Sequence, residues 1–158
     1  MAGAIQTMFN ISGGKMELEG IFRPGMFNEA EYLVEERFTA SHIGSGAVRV
    51  LATPMMIALM EITAHRQLAA SLPEGYSSVG SVVNVRHLAP TPCGSKVRIR
   101  SEILNMEGNR VTFRVQAWDD VELVGDGEHE RVVIQLDRFL RRVTTKVENV
   151  EQPCKDGS

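Results

Sequence analysis

The feature that most constrains the fold is a nearly uninterrupted apolar segment in the first half of the chain. The stretch "LATPMMIALMEITAHRQ" begins at Leu51, and Glu61 is its only charged residue before His65. Apolar residues surround the helical axis here, so we expect a long helix whose first three turns are buried on nearly all sides. Thr53 suits the N-cap and Pro54 the first helical position, and the later "LPEG" ends the helix.

Beyond this helix the hydrophobic period changes to two, which is typical of half-buried strands. Short turns separate most of these strands and favour antiparallel neighbours. The expected fold class is therefore α+β, with the long helix packed on a five-stranded antiparallel sheet. The five predicted strands are 31–39, 77–87, 96–103, 110–118 and 131–140, with a loop at 40–50 and a polar connection at 119–130.

Composition indicates one ordinary globular domain. The net charge is only -3, with 43% apolar and 23% charged residues, so no nucleic-acid or membrane partner is expected. No apolar run reaches the roughly 18 residues of a membrane span, and no secretory signal is present. Cys93 and Cys154 are a sparse pair, which favours a reducing cytoplasm. We expect an N-terminal arm at 1–30, the domain at 31–143 and a flexible tail at 144–158.

Glu61 is the strongest chemical signal in the sequence. An ionised carboxylate in apolar surroundings costs several kcal/mol unless it is paired or protonated. One interpretation is a structural partner on the same helix, either His65 four residues on or the adjacent Arg66. The other is a catalytic acid, base or nucleophile in a pocket. The residues alone leave both interpretations open.

Three further residues have both a structural and a functional interpretation. His87 ends a strand, where it can face a cleft and titrate near neutral pH or simply bond to the backbone. Gly80 interrupts a Val-rich strand. It could mark a bulge or a packing gap, or it could expose a backbone amide that binds an oxyanion. Thr53 is explained by N-capping, and its eight-residue separation from Glu61 corresponds to about 12 Å along a straight helix.

The remaining polar residues indicate no metal or nucleotide site. His42, His65 and His129 form no metal-ligand spacing with cysteines or carboxylates, so we expect no metal. No nucleotide-binding or nucleophile-elbow motif is present. Basic side chains on alternating strands could bind phosphate, but a solvated face explains them equally well. These are Arg86, Lys96, Arg98, Arg100, Arg138, Arg141 and Arg142.

Four blocks of the sequence are similar to the hotdog-fold acyl-CoA thioesterases, and most of all to the fluoroacetyl-CoA thioesterase type. They are "LATPMMIALMEITAHRQL", "GYSSVGSVVNVRHLAPTPCGSKV", "SEILNMEGNRVTFRVQAWD" and "GDGEHERVVIQLDRF", and they match in order and spacing across 31–143. The resemblance implies a helix in the concave face of a five-stranded antiparallel sheet. It also implies a homodimer, with a tetramer as an alternative, that binds acyl-CoA near its interface and needs no other cofactor.

The resemblance assigns roles residue by residue. Thr53 matches the family's catalytic threonine, Glu61 its catalytic carboxylate and His87 its histidine. Gly80 matches the glycine whose amide helps to bind the thioester carbonyl, and Arg131 matches a basic residue on the last long strand. The implied function is hydrolysis of a small or medium acyl-CoA to free acid and CoA. The alternative is a non-catalytic module that binds acyl-CoA or another small ligand.

Two positions separate this chain from other hotdog enzymes. Hydratases of this fold carry an aspartate five residues before the catalytic histidine, where this chain has Val82. Fluoroacetyl-specific enzymes have phenylalanines in the loop before the long helix, whereas "SHIGSGAVRV" contains no aromatic residue. We therefore expect a different or broader acyl specificity.

Overall fold

One antiparallel sheet wraps around one long helix. The computed structural model describes residues 16–151. The strands are β1 (Phe27–Leu33), β2 (Tyr76–His87), β3 (Lys96–Glu107), β4 (Arg110–Trp118) and β5 (Leu123–Gln135), in the sheet order β1-β3-β4-β5-β2 with antiparallel neighbours throughout. The helices are α1 (Ala40–Ile43), α2 (Thr53–Ala69) and α3 (Leu136–Glu151), with short 3₁₀ helices at Leu18–Gly20 and Glu36–Phe38.

The core lies between α2 and the concave face of the sheet. Alternate residues of the two central strands face the helix and are buried, as their period of two predicts. They include Val97, Ile99, Ile103, Val111, Phe113 and Val115, and they belong to the same core cluster as Met56, Leu59, Met60, Ala64 and Leu68 of α2. The predicted α+β fold, with a helix packed on a five-stranded antiparallel sheet, is confirmed.

Helix α2 is covered on one side only in the single chain. Thr53 and Pro54 are exposed, and Ile62 retains 39% of its surface accessible. The expectation that the first three turns are buried all round is therefore wrong at the level of one chain. The reason is geometric, because one sheet covers one side of a helix whatever the composition of the other side.

The first strand lies earlier than predicted. Strand β1 occupies Phe27–Leu33 rather than 31–39, and residues from Glu36 to Phe38 form a 3₁₀ helix. The folded region also starts before residue 31, because Leu18 and Phe22 are buried in the core. Residues 1–15 of the expected arm lie outside the described residues. The predicted loop at 40–50 contains α1. The next residue after this helix, Gly44, has a left-handed backbone conformation with φ of 79°.

Strand β5 begins within the stretch that was predicted to be a polar connection. It starts at Leu123, pairs with both β4 and β2, and ends at Gln135. Its acidic side chains meet arginines of β4, as in the pairs of Asp126 with Arg114 and Glu130 with Arg110. Cross-strand pairing thus compensates for the missing hydrophobic signal.

The chain continues beyond β5 as helix α3. Residues from Leu136 onward were predicted as the end of a strand and then a flexible tail from 144, but they are helical to Glu151. The rest of the expected tail, 152–158, lies outside the described residues. Between residues 16 and 151, no helix combines the length and apolar character required to cross a bilayer.

Two glycines of β5 make a matched pair for testing the packing of this strand. A Cβ at Gly127 would collide with the backbone of Asn84 and Val85, which cannot yield without breaking the β2–β5 ladder. A Cβ at Gly125 would meet the flexible side-chain ends of Met56 and Met60. We expect Gly127→Ala to lower the free energy of unfolding by about 3 kcal/mol and Gly125→Ala by about 1 kcal/mol. Urea unfolding measures both, and equal losses would contradict the difference in packing.

Candidate active site

Glu61 lies on the third turn of α2, and its partners come from β5. Its Oε1 atom is 3.6 Å from His129 Nε2 and 3.8 Å from Arg131 Nη1. Its side chain is 39% accessible, so the carboxylate is half-buried with one side open. The hypothesis of a partner on the same helix is wrong, because Glu61 lies beside His129 and Arg131 of β5 and pairs with neither His65 nor Arg66.

Gly80 on β2 makes room for this carboxylate. A Cβ at Gly80 would collide with Glu61 Oε1 and would lie 3.2 Å from His129 Cε1. The pairing register of β2 shifts between Gly80 and Val82, so Ser81 is the extra residue of a bulge. Both the bulge and the close approach suggested by the sequence therefore occur at this glycine.

Arg131 is held rigidly beside Glu61. Its Nε donates to Ser78 Oγ at 2.9 Å, and its Nη2 donates to the Ser78 carbonyl at 2.9 Å. Burial lowers the pKa of the guanidinium, and the Glu61 carboxylate opposes that shift. An arginine nevertheless remains charged in proteins, so Arg131 supplies the cation that a half-buried carboxylate requires.

His129 is a member of this cluster to which the sequence assigned no role. Its Nδ1 lies 2.8 Å from the Val82 carbonyl, and its Nε2 lies 3.2 Å from Arg131 Nη1. Burial lowers its pKa, which favours the neutral imidazole. The signal that could have found it is the spacing of two from Arg131, which places both side chains on the same face of β5.

Thr53 and His87 form a second cluster. Thr53 Oγ1 is 2.8 Å from His87 Nδ1. The N-cap position of α2 is Ala52, without a side-chain cap, so the predicted N-cap role of Thr53 is wrong and its hydroxyl is free to bond to the histidine. Pro54 is the second residue of the helix, one place after the predicted first position. Burial lowers the pKa of His87, and a bond to the Ala89 backbone opposes that shift.

A hollow of about 350 Å³ opens beside Thr53 and His87. Its walls come from the loop before α2 and the turn after β2, and most of the lining side chains are apolar. They are Ala40, Ser45, Val50, Leu51, Ala52, Leu88, Ala89 and Pro90. The hollow is therefore formed by the same segments that hold the Thr53–His87 pair.

The two clusters do not meet within one chain. Thr53 and Glu61 are separated by about 12 Å along α2. Gly80 and His87 are seven residues apart along β2, which corresponds to about 23 Å at the usual rise of a strand. The chain thus carries Glu61, Gly80 and Arg131 in one place and Thr53 with His87 in another.

Three of the other basic candidates lie on the outer face of the sheet, whereas Arg138, Arg141 and Arg142, expected on a strand, lie on helix α3. Lys96 pairs with Glu31, and Arg98 and Arg100 pair with Glu29, which supports the solvated-face interpretation of these basic residues. Within the described part of the chain, no three His, Cys, Asp or Glu side chains are grouped to hold a metal ion.

Comparison with known proteins agrees with this architecture. The family model of the fluoroacetyl-CoA-specific thioesterases matches residues 34–137. The fluoroacetyl-CoA thioesterase of Streptantibioticus cattleyicolor is 41% identical over 97 residues, which is 61% of this chain and 70% of that protein. A solved structure of a fluoroacetyl-CoA thioesterase aligns with a TM-score of 0.74 at 34% identity, covering 79% of this chain and 97% of that one.

A second solved structure gives the same result for the fold. The hot-dog-like protein of Thermanaerovibrio acidaminovorans aligns with a TM-score of 0.78 at 30% identity, covering 83% of this chain and 97% of that one. The family model spans more than half of the chain, and the sheet with its central helix is shared with these structures. This chain therefore belongs to the fluoroacetyl-CoA-specific thioesterase family and has the hotdog fold.

Proposed function

We propose that this protein is an acyl-CoA thioesterase that hydrolyses small and medium acyl thioesters to free acid and CoA. The observation that carries the proposal is the presence, in a member of this family, of both clusters with the residue types that thioester hydrolysis needs. A variant of the related fluoroacetyl-CoA-specific thioesterase has been solved in complex with fluoroacetate and CoA. The alternative is a module that binds acyl-CoA without cleaving it, and release of free thiol separates the two.

A second copy of the chain would unite the two clusters. Strand β2 is an edge of the sheet, and its Val82 and Val83 are 51% and 42% exposed. A long apolar edge strand favours pairing with another chain. Antiparallel pairing of two β2 strands, centred between Val83 and Asn84, would place Gly80 of one protomer opposite His87 of its partner. The partly exposed apolar face of α2 lies beside this edge, which supports a homodimer as the active form.

The chemistry then follows from the residues in the combined site. Glu61 either attacks the thioester carbon, which breaks the C–S bond and leaves an acyl–Glu61 anhydride that water then hydrolyses, or acts as the base for a water molecule that attacks the thioester directly. The neutral imidazole of His87 of the partner accepts a proton from the hydrolytic water and passes it to the CoA thiolate, and Thr53 orients that imidazole through its hydroxyl. The Gly80 amide stabilises the oxyanion, a contribution commonly worth about 3 kcal/mol per donor. The Arg131 guanidinium is the cation beside the Glu61 carboxylate, and it keeps that carboxylate oriented.

The acyl group is expected to be less restricted than fluoroacetyl. The hollow beside Thr53 has a volume of about 350 Å³, which lies within the range of small-ligand pockets. The segment 41–50 before α2 contains no aromatic side chain that could fill it. Acyl chains longer than acetyl can therefore enter from the Thr53 side of the site.

A complementation experiment tests the combined site. We expect Glu61→Gln and His87→Ala each to lower kcat at least about 100-fold, because each removes a proton-transfer or nucleophilic group. Heterodimers of the two variants, isolated through two different tags, should recover about half of the wild-type activity, since one of their two sites is intact. Release of free thiol from short acyl-CoAs measures all three.

The exposed acid Glu74 offers a matched control, because Glu74→Gln makes the same charge change away from both clusters. Near-normal turnover in both single variants would remove the proposed mechanism. If both single variants are inactive and their heterodimers recover no activity, the site shared between protomers is excluded and all catalytic groups must come from one chain. Tight acyl-CoA binding by the wild type without thiol release would favour the binding module.

Substrate range is tested by a panel of thioesters. We expect butyryl-CoA and hexanoyl-CoA to be cleaved at least as fast as acetyl-CoA, and fluoroacetyl-CoA to have no advantage over acetyl-CoA. Val50→Phe narrows the hollow and should lower kcat/KM for hexanoyl-CoA about tenfold while leaving acetyl-CoA within about twofold. Val121→Phe is the control, because Val121 is 86% exposed and outside the hollow. A strong preference for fluoroacetyl-CoA would contradict this specificity.

The lowered pKa of His87 predicts the pH dependence of activity. Burial favours the neutral imidazole, so the form that accepts a proton should persist below the ordinary histidine pKa of 6.5. We expect kcat/KM to fall on the acid side with a midpoint below pH 6.5. A profile measured with acetyl-CoA tests this, and an acid midpoint above the ordinary value would contradict it.

A further inference from the structure

We propose that His129 is a positioning residue for thioester hydrolysis, which orients Arg131 and the bulged edge of β2 around Glu61. The proposal rests on the thioesterase function inferred above. It concerns a residue that does not contact the substrate and acts through its neighbours.

His129 lies on β5, between the central strand β4 and the edge strand β2, and its side chain is buried on the concave face of the sheet. It is only 1% exposed and lies opposite Phe113 of β4, with the two rings stacked at a centroid distance of 6.4 Å. On its other side, the register pairs it with Val83 of β2. A polar ring at such a buried position needs a hydrogen-bond partner for each nitrogen, and both partners belong to the Glu61 cluster.

Those partners determine the tautomer of the ring. The Arg131 guanidinium can only donate, so His129 Nε2, 3.2 Å away, must accept. The Val82 carbonyl can only accept, so His129 Nδ1, 2.8 Å away, must carry the proton. A protonated imidazolium would turn Nε2–H toward the cationic Nη1 at 3.2 Å, and Glu61 Oε1, which would favour that proton, lies farther away at 3.6 Å. The surroundings therefore select one neutral form.

The first consequence concerns Arg131. Each of its three side-chain nitrogens has a partner, because Nε and Nη2 donate to Ser78 and Nη1 donates to His129. Since the guanidinium is planar, these bonds fix its plane as well as its position. Nη1, the nitrogen that His129 holds, is also the one 3.8 Å from Glu61 Oε1. Without the imidazole acceptor, only the two bonds to Ser78 hold the guanidinium, and Nη1, the nitrogen that faces Glu61, loses its hydrogen bond.

The second consequence concerns β2. The register shift at Ser81 disturbs the ladder between β2 and β5. The imidazole holds the Val82 carbonyl directly after this bulge, two residues from Gly80. His129 Cε1 also lies against the Cα of Gly80, where a Cβ would be 3.2 Å away. One side chain thus supports both the strand that carries Gly80 and the cation that faces Glu61.

Two isosteric substitutions separate these contacts. The amide of asparagine reaches the position of Nδ1, so His129→Asn retains the bond to Val82 and loses the acceptor for Arg131. The amide of glutamine reaches the position of Nε2, so His129→Gln retains an acceptor for Arg131. If Arg131 orientation controls turnover, His129→Gln should keep kcat within about tenfold of wild type, and His129→Asn should lose about 100-fold or more. KM for acetyl-CoA should stay within about threefold in both variants.

Circular dichroism and melting temperatures establish whether each variant is folded. A purely structural role would lower stability and leave kcat of the folded fraction unchanged. Values of kcat within twofold of wild type in both variants would therefore overturn the proposal, as would a larger loss in His129→Gln than in His129→Asn.

A measurement on the wild type keeps the proposal testable even if both variants fail to fold. Long-range proton–nitrogen NMR spectra of the imidazoles report protonation and tautomer. The charged groups acting on His129 are Arg131, which disfavours its protonation, and Glu61 and Glu130, which favour it, while burial is the largest influence and lowers its pKa. We expect the neutral Nδ1–H tautomer at pH 7. A protonated ring or the Nε2–H tautomer there would overturn the proposed contacts.

The two proposals fail in different ways. If the wild-type chain releases no thiol from any acyl-CoA, both the thioesterase function and the positioning role of His129 are excluded. If the wild type hydrolyses acyl-CoA and the His129 variants do so equally well, the positioning role alone is excluded.

Discussion

The structure of the site depends on how one carboxylate is accommodated on an apolar helix. Glu61 needs a cation, and Arg131 on β5 supplies it at 3.8 Å. It also needs space against the sheet, which Gly80 on β2 provides by lacking a Cβ. These three residues come from three elements, so the cluster exists only when α2 lies in the concave face with β5 and β2 in their observed register. The geometry of this cluster therefore depends on the correct packing of all three elements.

The same architecture leaves the single chain incomplete. Strand β2 ends the sheet, with Val82 and Val83 exposed, and α2 presents an uncovered side that begins at Thr53. Such surfaces are costly to leave in water and favour association. Thr53 on α2 and His87 on β2 are both too far along these elements from Glu61 and Gly80 for the two clusters to meet within one chain. A dimer in which each protomer contributes one cluster would bury the exposed strand and helix surfaces. It would also bring the Glu61 cluster of one protomer next to the Thr53–His87 pair of its partner.

Sequence patterns predicted elements well where burial alternates cleanly. Strand β4 matches the predicted range because Val111, Phe113 and Val115 face the helix in strict alternation. The first half of β5 was missed because Gly125, Gly127 and the acidic residues between and after them have no hydrophobic period. Their stabilisation comes from cross-strand arginines and from close backbone approach, neither of which is visible in one segment of sequence.

The sequence by itself determined the fold class and the presence of an unexplained charge within the helix, because apolar periodicity and the position of Glu61 are local properties. Resemblance to a family assigned roles to Thr53, Gly80 and His87 and added Arg131 as a residue of interest. Tertiary structure alone decided that Glu61 pairs across to β5, that Thr53 bonds to His87 instead of capping α2, and that these groups form two separate clusters. The physical reason is that strand register and the bulge at Ser81 set which distant residues meet, and no local pattern encodes that register.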